Sequence, residues 1–111
     1  MTNYQTGHDA EKDVAKFLEE HSYKIHDINW KTKLCEIDIV AEKDQVIWFV
    51  EVKSRTNNSH GFGYEYVTPQ KLRQMQFAAE MWVQHSQWNG DYNLAVARVD
   101  QGSISLITDI Y

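Results

Sequence analysis

The fold class this sequence predicts is α/β: a mixed five-stranded sheet flanked by helices, with elements in the order αβββαββ. Three observations predict it. Two stretches, one from Ala10 to Leu18 and one from Leu72 to Trp82, carry apolar residues at helical spacing. Between them lies a block of strand-like runs, among them Val46-Ile47-Trp48-Phe49-Val50, long enough for a strand buried on both faces. Two further alternating runs follow the second helix, so strands flank it on both sides in sequence. At 111 residues the chain has the length of one domain, residues 1–111, with enough material for a real core.

Thr6 reads as the N-cap of the first helix, with Asp9 three residues on as a weak capping box, and the helix runs to about His21. Its stripe is Ala10, Val14, Phe17 and Leu18. Glu11 lies beside that stripe near the first turn, where a carboxylate complements the helix dipole. From Ser22 to Trp30 the apolar alternation of Tyr23, Ile25, Ile28 and Trp30 reads as a strand that breaks near Asp27, which a bulge would explain. After Lys31-Thr32-Lys33 come the runs Cys35 to Ala41 and Val46 to Lys53, with Asp44-Gln45 as a two-residue hairpin turn. Ser54 to Tyr66 is polar and aperiodic, a candidate functional flap. Thr68-Pro69 starts the second helix, a capping hydroxyl followed by proline at its first position. Leu72, Met75, Ala79 and Trp82 share its core face. Asn89-Gly90 ends or follows the helix as a breaker. Tyr92 to Val99 and Ile104 to Ile110 read as the last two strands, joined by the turn Asp100-Gln101-Gly102-Ser103.

The hairpin contains charges that packing does not call for. Asp38 stands between isoleucines, and the buried run ends in Glu51-Val52-Lys53. If Lys43 pairs with Val46, counting back sets Asp38 opposite Glu51 and Glu36 opposite Lys53. Two carboxylates on one face repel unless a cation or a shared proton lies between them. Metal-dependent phosphodiester hydrolysis needs such a set. Asp38, Glu51 and the backbone carbonyl of Val52 are hard oxygen ligands for Mg²⁺ or Mn²⁺, and the metal activates water and offsets phosphoryl charge. Lys53, on the same strand face as Glu51, can orient the water or stabilise the charged transition state. The plain structural alternative is a charged strand end with a Glu36–Lys53 pair, worth about 0.2–1 kcal/mol.

With these residues in place the sequence resembles the PD-(D/E)xK nuclease superfamily, and within it the small YraN-like endonucleases, distant relatives of archaeal Holliday junction resolvases. The similarity covers most of the chain. It runs through Gly7, Glu11 and Ala15, then Asn29, Glu36-Ile37-Asp38 and Phe49-Val50-Glu51-Val52-Lys53 with Arg55. It continues with Phe62-Gly63, Val67 and Lys71. The resemblance implies a restriction-endonuclease-like fold, with Asp38 and Glu51 on the metal and Lys53 beside the water. It also implies Glu11 as a helix-borne member of the site, and Arg55 and Lys71 as substrate-binding residues. Its implied substrate is DNA, branched or single-stranded, and cutting both strands of a duplex would fit a homodimer. Ala10 and Cys35 stand where the family usually has glycine, and Asp91-Tyr92-Asn93 replaces its Arg-Phe-Asp pattern. These departures and the acidic balance favour the alternative, a non-catalytic module binding nucleic acid or protein on the same fold.

Bulk properties narrow the setting. A net charge of −5 excludes wholesale electrostatic attraction to nucleic acid, although Lys31, Lys33, Arg55, Lys71 and Arg73 could form a basic rim on an acidic body. A single cysteine allows no internal disulfide. Met1 to Gly7 has no basic start or apolar segment, and no run approaches membrane-spanning length. The expectation is a cytoplasmic protein with no membrane partner. The five histidines, His8, His21, His26, His60 and His85, fall at no zinc spacing.

Overall fold

A computed structural model describes residues 3–55 and 67–110, with side chains described from residue 10 to 54 and from 67 to 110. The elements are α1 (Asn3–Glu20), β1 (Lys24–Lys31), β2 (Glu36–Lys43), β3 (Val46–Arg55), α2 (Pro69–Ser86), β4 (Asp91–Asp100) and β5 (Ser103–Ile107). This is the order αβββαββ. The five strands form one sheet in sequential order, antiparallel throughout except for the parallel β3–β4 pair that α2 connects. The sheet is therefore mixed, as the element order implied.

Helix α1 begins at Asn3, three residues before the expected N-cap at Thr6. No proline or other breaker stands between them, so the helix extends upstream through residues of merely low propensity. It closes at Glu20 with a Schellman motif. Tyr23 N–H donates to Leu18 O at 2.9 Å and Ser22 N–H to Glu19 O at 3.1 Å, with Ser22 at φ 73° where glycine is usual. Helix α2 starts as expected, with Thr68 Oγ accepting the Lys71 N–H at 3.0 Å. It ends at a left-handed Gln87, and Asn89-Gly90 follows it. Gly90 has a different task, because a Cβ there would lie 2.9 Å from the Trp88 ring.

The hairpin turn has both Asp44 and Gln45 at positive φ, 53° and 67°, the requirement of a type I′ turn, and Lys43 pairs with Val46. The expected bulge in β1 is present: the register shifts between Ile25 and Asp27, leaving His26 unpaired. Asp27 Oδ2 accepts the Trp82 Nε1–H at 2.9 Å, which ties β1 to α2.

Strand alternation sorts the core into two layers. Ile47 and Phe49 pack with Met75, Ala78, Ala79 and Trp82 of α2, over Leu94 and Val96. Val50, with Ile39, Ala41, Ala95 and Ala97, packs against Val14, Ala15 and Leu18 of α1. Glu51 and Lys53 continue the α2-facing parity of β3. No helix among the described residues is long and apolar enough to cross a membrane.

Candidate active site

The site lies where the β2–β3 hairpin opens. In a two-residue hairpin the residues that exchange both backbone bonds alternate, so Lys43/Val46, Ala41/Trp48 and Ile39/Val50 should be followed by Ile37/Val52. The paired residues stop at Ile39–Val50. Beyond that point the Val52 N–H donates to Asp38 Oδ2 at 2.8 Å, so a side chain has taken the place of the ladder. Strand β2 also turns here: Ile37 packs in the α2 layer and Ile39, two residues on, in the α1 layer. The expected register therefore holds only as far as Ile39–Val50. The Glu36–Lys53 pair counted from it does not form, since the ladder that would align the two residues ends first.

Lys53 instead stands by its own strand neighbour, Nζ 3.5 Å from Glu51 Oε2. The Glu51 carboxylate, on a side chain 17% exposed, also receives Lys71 Nζ at 3.0 Å from the first turn of α2. Lys71 is thus paired with Glu51 while its side chain stays 32% exposed, which leaves an ammonium of three donors partly open to solvent. Arg55 occupies the last position of β3, opposite Asp100 of β4, and its side chain lies outside the described residues. The expected flap, Ser54 to Tyr66, is outside them from residue 56 onward, with His60 and Phe62-Gly63 in it.

Among the described residues Asp38 is the most perturbed group. Burial pushes its carboxyl up to about 6; the Val52 N–H opposes that shift, while the charges of Glu51, Glu11 and Glu36 add to it. Glu11, on α1, is therefore near enough for its charge to act on Asp38. Its Oε1 is buried and has no hydrogen-bond partner. Glu51 of β3, Glu11 of α1 and Glu36 of β2 thus act on Asp38 by their charge, and Lys53 of β3 and Lys71 of α2 stand at Glu51.

A hard divalent cation takes oxygen ligands. Among the described residues no three His, Cys, Asp or Glu side chains form a group that could hold one. The oxygen groups here that could contribute to such a shell are the Asp38 and Glu51 carboxylates and the Val52 carbonyl, which leaves β3 on the same edge as the N–H bonded to Asp38. Glu11 would act on that set through its charge.

One basic residue escaped sequence reasoning. Arg98 of β4 is the register partner of Lys53, so the two side chains leave the same sheet face. Its Nη2 lies 3.7 Å from Asp100 Oδ2, and its Nε is buried without a hydrogen-bond partner. In sequence Arg98 is one polar residue in an alternating strand, and only the parallel register puts it beside Lys53. Ala10 is buried within α1 and Cys35 is not among the positive-φ residues, so neither backbone position calls for the conformational freedom of glycine. Asn29 adopts φ 56°, a left-handed value that asparagine accepts more readily than most residues.

Fold and site together define an α/β domain with a carboxylate–lysine cluster at the opened end of a hairpin. Over residues 10–104 the chain matches the model of the uncharacterised protein family UPF0102, and it belongs to that family. Similar proteins include a UPF0102 protein of Cytophaga hutchinsonii, 34% identical over 89% of this chain and 88% of the relative. Another, from Fusobacterium nucleatum, is 35% identical over 85% and 78%. A third, from Alkaliphilus metalliredigens, is 36% identical over 81% and 80%.

Proposed function

We propose that this protein is a Mg²⁺- or Mn²⁺-dependent nuclease of the PD-(D/E)xK kind that hydrolyses phosphodiester bonds in DNA, with branched or single-stranded DNA as its substrate class. The observation that carries the reading is Asp38 at the split of β2 and β3, with the charge of Glu51 acting on it and Lys53 at Glu51. A carboxylate so placed costs stability through desolvation and repulsion, and a divalent cation would relieve both. Bound to Asp38, Glu51 and the Val52 carbonyl, the metal would supply Lewis-acid activation of water and of the phosphoryl group. The Val52 N–H fixes the orientation of the Asp38 carboxylate. Lys53 Nζ, 34% exposed on its side chain and held near Glu51, can donate to the attacking water or to a phosphoryl oxygen. Lys71 and Arg98 supply further positive charge on the same side of the sheet for a polyanion.

The test is cleavage of labelled DNA by purified protein with added divalent metal. Asp38→Ala and Lys53→Ala should each abolish cutting, and cutting that survives both changes refutes the assignment. One observation favours a non-catalytic module instead: two ammonium groups already hold Glu51, at 3.0 and 3.5 Å. Calorimetric titration with Mn²⁺ separates the readings, because a binding-only module has no need of metal affinity that depends on Asp38 and Glu51.

A further inference from the structure

A cleft of about 630 Å³ opens between α2 and the loop that joins β1 to β2, and Glu51 forms part of its lining. Its described walls combine apolar and charged groups. Leu34, Met75 and Phe77 supply the apolar surface, Lys71 and Arg73 the positive charge, and Glu36 and Glu51 the negative. Leu34 is 71% exposed and Phe77 45%. A single exposed apolar side chain is ordinary. Two of them lining one cleft beside a polar site are not. Nor is Leu34 exposed for want of order in its loop. Thr32 Oγ accepts the Leu34 N–H at 3.0 Å and the Cys35 N–H at 3.2 Å, and Thr32 N–H donates to Cys35 O at 2.9 Å. The loop holds the leucine outward.

An aromatic ring, an aliphatic wedge and two cations beside a phosphodiester-cleaving site match the chemistry of one unstacked nucleotide. The base would use the ring and the wedge, and the phosphates the cations. A base inside a duplex has its faces covered by its neighbours and has no use for such a surface. The overall charge of −5 also works against a ligand held by its backbone alone, so base stacking must make up what counter-charge does not. We propose that the cleft binds an unpaired nucleotide next to the scissile phosphate, with its base against Phe77 and Leu34 and its phosphate at Lys71 and Arg73. This rests on the nuclease reading and makes DNA with an unpaired segment the preferred substrate over blunt duplex.

The experiment uses full-length Asp38→Asn protein and duplexes with a single-stranded extension carrying 2-aminopurine at successive positions across the junction. Binding is read by anisotropy and stacking by 2-aminopurine emission. Extended DNA should bind about tenfold more tightly than blunt duplex of the same sequence, with the emission change confined to one or two positions. Phe77→Ala and Leu34→Ala should each remove most of that preference without changing blunt-duplex binding, and Phe77→Trp should restore it. Both side chains are exposed, so neither change threatens folding, and far-UV circular dichroism confirms this for each variant. Equal binding of blunt and extended DNA, no DNA binding, or a preference indifferent to both alanine changes overturns the proposal. Cleavage by the wild-type chain is scored separately. Stacking without metal-dependent cutting leaves the cleft and removes the nuclease; metal-dependent cutting of extended and blunt DNA at equal rates, unchanged in Phe77→Ala, does the reverse.

Discussion

Replacing Asp38 by asparagine should make this protein more stable while inactivating it, and the pH dependence of the gain identifies its cause. The Asp38 carboxyl is raised from 3.8 to about 6, first by burial and then by the charges of Glu51, Glu11 and Glu36. A group whose folded pKa exceeds its unfolded one binds more protons in the native state throughout the interval between them. Stability therefore falls as pH rises from about 4 to about 6, and stays reduced above that. A difference of about 2 between the two values corresponds to about 3 kcal/mol. The half-buried carboxylate is partly screened by solvent, so about 2 kcal/mol is the expected size.

Asparagine has nearly the same shape, and its Oδ1 can accept the Val52 N–H that Asp38 Oδ2 accepts at 2.8 Å. The variant should thus keep the bond and lose the charge. At pH 8 it should unfold about 6–10 °C above the wild type, with the difference vanishing at pH 4. Thermal and urea unfolding followed by tryptophan fluorescence from pH 4 to 8 measures this. Millimolar Mn²⁺ should raise the wild type at pH 8 and leave the variant unmoved, since the cation stabilises only the chain that carries the charge. An Asp38→Asn chain equal to or less stable than wild type at pH 8, or a gain that is the same at every pH, would refute the account of Asp38 as a strained carboxylate.

Three other outcomes follow from particular contacts. Trp82→Phe removes the 2.9 Å donation to Asp27 Oδ2 and leaves that carboxylate short of a partner; it should cost about 1–3 kcal/mol in urea unfolding, and a loss below about 0.5 would mean that the bond does not tie β1 to α2. Gln45→Gly relieves a side chain at φ 67° in the hairpin turn; the urea midpoint should rise by the equivalent of about 0.5–1 kcal/mol, and a fall would contradict the turn geometry. Lys71→Met takes away the ammonium 3.0 Å from Glu51; DNA binding should weaken, and the slope of log Kd against log salt should drop by about one. An unchanged slope would confine Lys71 to holding Glu51.

What could be read from the sequence was whatever depends on near neighbours. The Thr68-Pro69 start of α2, the two-residue turn at Asp44-Gln45, the break near Asp27 and the Asp100 to Ser103 turn are all set by local backbone chemistry, and each is present. The end of α1 near His21 was legible too, whereas the left-handed Ser22 and Gln87 that close the two helices carry no local signal, because neither is glycine. The candidate site divides along the same line. Asp38, Glu51 and Lys53 were legible as charges inside apolar strands. Lys71 on Glu51, Arg98 beside Lys53 and the cleft from Leu34 to Phe77 depend on where α2 and β4 land, which no local pattern encodes.

The Glu36–Lys53 pair failed for a more instructive reason. Counting register assumes that a hairpin stays paired to its end, and that is the best arrangement only while each backbone N–H lacks a better acceptor. At Val52 it has one: the Asp38 carboxylate makes a charge-assisted bond at 2.8 Å where the Ile37 carbonyl would make a neutral one. The same residue that strains the protein by its charge thus separates β2 from β3. That separation frees the edge from which the Val52 carbonyl would face a cation, while Lys53 reaches Glu51 along its own strand. An asparagine at position 38 would still hold the strands apart through a neutral bond. A leucine there would have no acceptor to offer, and the ladder should close through Ile37–Val52. Amide exchange at Val52 and cross-strand contacts between residues 37 and 52 would report the difference, and strands that stay separated in Asp38→Leu would show that something other than this carboxylate opens the hairpin.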